Sequence, residues 1–100
     1  PLEGAPPELP SQAVLVVEIA DSTLAGDRKY KASLYARARV PECWIVNLVD
    51  RVLEVHRDPR PDASALYGWA YRSVQRLHVG EHVSPLAAPT ARISVADLLP

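Results

Sequence analysis

With 100 residues, the chain has room for one domain or a part of one. Apolar residues make up 48% of it and the net charge is −1, which excludes a chain disordered throughout. No apolar run approaches the roughly 18–20 residues that cross a bilayer, and no basic-then-apolar leader opens the chain, so a cytoplasmic protein is expected.

The first stretch, "PLEGAPPELPSQ" (1–12), carries four of the ten prolines, which removes backbone donors and favours extended conformations, so it reads as a linker. The chain opens Pro1-Leu2-Glu3 and contains no methionine, which reads as a piece of something longer. "AVLVVEIA" (13–20) is a continuous β-branched and apolar run, expected to form a central strand buried on both faces. "DSTLAGDRKYKASLYARARVP" follows, with Ser22 or Thr23 as N-cap and Asp27 near the positive end of the helix dipole. Pro41 disfavours helical geometry in the residue before it, so the helix should span 24–39. On a helical wheel Leu24, Asp27, Lys31, Leu34, Tyr35 and Ala38 share the core side, opposite Lys29, Ser33, Ala36 and Arg37.

"CWIVNLV" (43–49) and "RVLEVHR" (51–57) read as two strands joined by a tight turn near Asp50. Cys43, the one cysteine, lies between apolar neighbours and reads as a buried, inert thiol. His56 alternates with Leu53 and Val55 and is expected to face solvent. "DPRPDASALYG" is a turn-rich loop, and "WAYRSVQRLHV" with "EHVSPL" looks like a second strand pair turning at Gly80-Glu81. Trp69 and Tyr71, with Leu66 and Tyr67, form an apolar cluster that either caps the core or makes a dimer contact. His78 and His82 have a spacing that suits zinc on a helix, but a turn between them makes a zinc site unexpected. Ser94 should cap a last short helix through Leu99. A strand, a helix and a strand in that order favour a right-handed parallel crossover with antiparallel strands appended, a mixed α/β class.

Two charges sit where the pattern marks interior. Glu18 closes the valine-rich strand, and a buried carboxylate needs a cation or a raised pKa; the alternative is a strand end already in solvent. Lys31 either makes an ordinary i, i+4 pair with Asp27 or, because the crossover returns its helix onto the strand, faces Glu18. Glu18, Asp27 and Lys31 converging in one cleft would suit phosphodiester hydrolysis, with carboxylate oxygens on Mg²⁺ and an ammonium at the phosphate. Arg28, Lys29, Lys31, Arg37 and Arg39 crowd the helix against one acid, Asp27, and such positive charge could meet a nucleic-acid backbone or simply form a solvated face.

"VLVVEIADSTLAGDRKYKASLYARARVPECWIVNLVDRVLEVHRDP", from about Ala13 to Pro59, resembles the Uma-type restriction endonuclease family of the PD-(D/E)XK nuclease superfamily. "VVEIADSTLAGDR", a lysine four residues after the Asp, "LYARA", "VPE" and "WIVN" carry the resemblance, and "YRSVQRLHVGEHVSPLA…ISVADLLP" is similar to that family's C-terminal part. The resemblance implies a restriction-endonuclease-like mixed sheet, incomplete at its N-terminus, with 13–100 as the C-terminal part of the domain. By it Glu18 is the acidic residue of the (D/E)XK half-motif and a Mg²⁺ ligand. The lysine slot two residues on is Ala20, and Lys31 matches a lysine moved onto the following helix, with Asp27 a polar neighbour and second metal ligand.

The superfamily's upstream Asp has no counterpart, since Glu3 and Glu8 lie in the linker and Asp62 follows the helix. The expectation is therefore a Mg²⁺-dependent DNA endonuclease whose present 100 residues are inactive alone. Arg28 and Lys29 would contact DNA, and a homodimer is expected from the exposed hairpin edge. The competing expectation is a non-catalytic remnant or dimerisation module that keeps the fold without the complete site.

Overall fold

The computed structural model describes residues 13–21 and 25–100, with the side chains of 13–21 and 29–100. Val16–Ala20 is β1, Ala25–Arg37 is α1, Glu42–Asn47 is β2, Val52–Pro61 is β3 and Trp69–Leu77 is β4. His82–Val83 and Ile93–Ser94 are the short strands β5 and β6, followed by a 3₁₀ turn at Val95–Asp97. Among the described residues the longer strands form one sheet in the order β1-β2-β3-β4, and β5 pairs with β6. β1 runs parallel to β2, as a helical crossover requires, while β2–β3 and β3–β4 are antiparallel. This is the mixed α/β sheet with a strand-helix-strand core and appended antiparallel pairs that the sequence predicts.

Both faces of the sheet are covered at its centre. On one, Trp44, Val46, Leu53 and Val55 pack against Val83, Val95 and Leu99 of the C-terminal segment. On the other, Cys43, Ile45 and Tyr71 lie with Ala36 of α1. Glu42, fully buried, fastens the C-terminal segment down. Its carboxylate accepts from Trp44 Nε1 at 2.7 Å, Arg57 Nε at 2.8 Å and the Leu86 amide at 2.8 Å, and Arg57 also donates to the Ser84 carbonyl.

Helix α1 ends in a Schellman motif. Arg39 takes φ 59°, its amide reaches Ala36 O at 2.9 Å, and the Val40 amide reaches Tyr35 O at 3.2 Å. The β2–β3 turn is organised by Asn47, whose Oδ1 accepts from the Asp50 amide at 3.0 Å, and Arg51 closes it at φ 55°.

Several expectations are corrected. β1 is the outer strand among the described residues, with Val17 and Ile19 49% and 65% exposed, because β-branched composition signals a strand without saying which faces are covered. Ser33 and Ala36, expected opposite the core side, are buried: small side chains let α1 sit close to β4. Ser33 Oγ donates to the Trp69 carbonyl at 2.7 Å and accepts from the Tyr67 amide at 3.0 Å. β4 pairs with β3 and not with the segment after Gly80, whose partner is β6. The last helix is a single 3₁₀ turn, and the Ser94 side chain makes no capping bond. The linker assigned to 1–12 and the cap candidates Ser22 and Thr23 lie outside the described residues.

Candidate functional site

Alternation along β1 decides where Glu18 goes. Val16, Glu18 and Ala20 stand opposite Cys43, Ile45 and Asn47 in register, so Glu18 shares the sheet face that α1 covers. Lys31 Nζ lies 3.4 Å from Glu18 Oε2, and the Tyr35 hydroxyl, one helical turn on, donates to Oε1. One half-buried carboxylate is thus held by two donors from adjacent turns of α1. Burial, then the hydrogen bond to Glu18, raises the Tyr35 phenol far above its ordinary range, so it stays a donor at any physiological pH. The side chains of Lys31 and Glu18 remain 39% and 23% exposed, which leaves the ion pair accessible to solvent and worth little for stability.

The other predicted residues divide. Asp27 and Arg28 fall in the first turn of α1, where the side chains lie outside the described residues. Lys29 is exposed and stands on the opposite flank of the helix, at a cleft between α1 and the β3–β4 pair. Lys31 reaches Glu18, one of the two partners open to it; the side chain of the other, Asp27, lies outside the described residues.

A second polar group escaped the sequence reading. Glu18, Ile45, Glu54 and Arg76 form one cross-strand row. Glu54 and His56 are 7% and 8% exposed, so His56 is buried, contrary to the expectation that it faces solvent. His56 Nε2 lies 3.2 Å from Glu54 Oε1, Asn47 Nδ2 donates to Glu54 Oε2 at 3.1 Å, and the His56 ring meets Tyr71 edge-on at 5.8 Å. Arg76 donates to Asp50 at 3.2 Å and approaches Glu54 at 3.8 Å. The signal that could have found them is parity: on β3, Glu54 and His56 point to the face that any crossover helix must cover.

Cys43 is buried and its thiol is pushed up to about 12, first by burial and then by the Glu18 and Glu54 carboxylates, so it is an inert core thiol as expected. Among the described residues no three His, Cys, Asp or Glu side chains gather closely enough to hold a metal ion, His78 and His82 included. No described helix is long and apolar enough to cross a membrane.

No curated protein and no solved structure matches the chain. The model of the Uma2 family, described as "Putative restriction endonuclease", matches residues 2–96. That span includes β1, α1, the β2–β3 hairpin and, of the residues that seal the back of the sheet, Val83 and Val95. A match over nearly the whole length, on a mixed α/β sheet of nuclease-like architecture, means that the chain belongs to the Uma2 family of restriction-endonuclease-like proteins.

Proposed function

We propose that the chain contributes Glu18 as metal ligand, Lys31 as catalytic lysine and Asp27 as supporting acidic ligand to a Mg²⁺-dependent site with which the full-length protein hydrolyses phosphodiester bonds in DNA. The observation that carries this reading is the 3.4 Å approach of the Lys31 ammonium to Glu18 on a half-buried sheet face. A carboxylate fits Mg²⁺, which takes hard oxygen ligands and needs only one or two protein carboxylates beside water and phosphate. When bound, the metal acidifies a water and offsets phosphate charge.

This chain's own residues do the rest. Tyr35 fixes one oxygen of Glu18 and so acts as a positioning residue. Lys31, on its flexible stem, neutralises charge that grows on the phosphate oxygens and orients the attacking water. Arg28 and Lys29 contact the DNA backbone. The same reading places the protein in the cytoplasm, where a free thiol such as Cys43 persists, and has it act as a homodimer.

The test is cleavage of supercoiled plasmid by the full-length protein with Mg²⁺. Nicking or linearisation is expected, with Lys31→Ala and Glu18→Gln each slower by at least about 100-fold. Equal cutting by wild type and Lys31→Ala removes the role of Lys31; absence of cutting with Mg²⁺ or Mn²⁺ overturns the nuclease reading.

A further inference from the structure

Helix α1 divides the sheet face that it covers into two flanks. Glu18 and Lys31 occupy one. On the other, a cleft of about 780 Å³ opens between α1 and the β3–β4 pair. That volume lies in the range of roughly 300–1,000 Å³ usual for small-molecule sites.

The cleft has three chemical zones. Its interior presents Glu54 and His56, both nearly buried, with Glu54 steadied by Asn47. A carboxylate accepts, so His56 Nε2 is the donor in its bond to Glu54. Its sides are the rings of Tyr30 and Tyr71 and the alkyl group of Val74. Two cations, Lys29 and Arg76, line it as well, together with one further carboxylate, Asp62. A matching ligand is flat, apolar on its faces, hydrogen-bonding along its edge and attached to an anion.

We propose that this cleft binds the nucleobase of an unpaired or extruded nucleotide, with its phosphate toward Lys29 and Arg76. Apolar and aromatic walls take the faces of any base, and fixed polar groups read its edge. The row Glu18–Ile45–Glu54 places Glu54 two strands from Glu18, about 10 Å at a strand spacing of about 4.8 Å, so one nucleic-acid strand can reach both flanks. Only that strand path rests on the nuclease reading; base binding by the cleft is independent of cleavage.

The test therefore omits metal. The protein is titrated with the four deoxynucleoside 5′-monophosphates, and with deoxyribose 5-phosphate as the base-free probe, while amide NMR shifts are followed. Saturable shifts on β3, β4 and α1 are expected with at least one nucleotide, and binding of the base-free probe at least tenfold weaker. Val74 is 51% exposed, so Val74→Trp fills the cleft without breaking the buried network and should weaken nucleotide binding at least tenfold. Glu54→Gln should change the order of preference among the bases.

Equal binding of the base-free probe, or no effect of Val74→Trp, overturns the proposal, as does the absence of saturable shifts up to about 10 mM. Failure here beside intact plasmid cleavage spares the nuclease reading, and binding here beside absent cleavage spares the cleft.

Discussion

Tyr35 and Glu18 are joined by a hydrogen bond from the phenol to one carboxylate oxygen, while Lys31 holds the other. The phenol's proton is committed to Glu18, so its part is to keep that carboxylate still. Tyr35→Phe should lower kcat for plasmid cleavage about tenfold with KM for DNA unchanged, and cost about 1 kcal/mol in urea denaturation. A larger KM effect would assign Tyr35 to DNA binding instead. Lys31→Ala should change stability by less than about 1 kcal/mol, because the pair is partly exposed.

Glu42 contrasts with that solvent-accessible pair. It is fully buried, and Arg57 lies 2.7 Å away with its side chain 27% exposed. Removing Arg57 leaves Glu42 with the Trp44 and Leu86 donors but no cation, so Arg57→Ala should destabilise the fold by about 3 kcal/mol. Denaturant titration followed by tryptophan fluorescence measures this, and a loss below about 1 kcal/mol would refute the clamp.

Cys43 sets an alkaline limit. Its folded-state pKa of about 12 lies above the value of about 8.5 for an unfolded thiol. Its stabilising contribution is therefore complete below about pH 8.5 and is lost as pH rises towards 12, at up to about 1.4 kcal/mol per unit. The phenols of Tyr35 and Tyr71, both raised chiefly by burial, steepen the same decline above pH 10. Urea midpoints between pH 8 and 10 should fall for wild type and stay flatter for Cys43→Ala. The native thiol should also resist aromatic disulfide reagents at pH 8 until the protein is denatured.

Backbone strain offers a stabilising change. Arg51 holds φ 55° in the hairpin turn, a conformation that costs a side chain roughly 1–2 kcal/mol and glycine almost nothing. Allowing for glycine's greater freedom when unfolded, Arg51→Gly should gain about 0.5–1 kcal/mol and raise Tm by about 2–8 °C. Arg39→Gly should gain less, since Arg39 also lies over the Trp69 ring at 5.4 Å. An unchanged Tm for Arg51→Gly would mean that its bond to the Pro100 carbonyl offsets the strain.

The crossover was legible because its signals are local. A β-branched run, a helix stopped before Pro41 and a second apolar strand fix β1–α1–β2, and strand parity with helical spacing brings Glu18 to Lys31. What was missed depends on contacts between distant segments. β5 and β6 are two residues each, too short for any periodicity, and they find each other only through tertiary packing. Ser33 and Ala36 are neither large nor strongly apolar, so a hydrophobicity pattern overlooks that closeness is what β4 requires of them. His56 looked solvated because Leu53 and Val55 already account for one buried face of β3. Only the position of α1 reveals that the reverse is buried as well.

The two faces of the sheet carry separate duties. The side chains sealed by Val83, Val95 and Leu99 face away from Glu18 and the cleft, so they can drift through apolar substitutions under selection for folding alone. If the helical face binds nucleic acid as proposed, recognition can be rewritten there while the reverse layer keeps the chain folded, without re-solving the architecture.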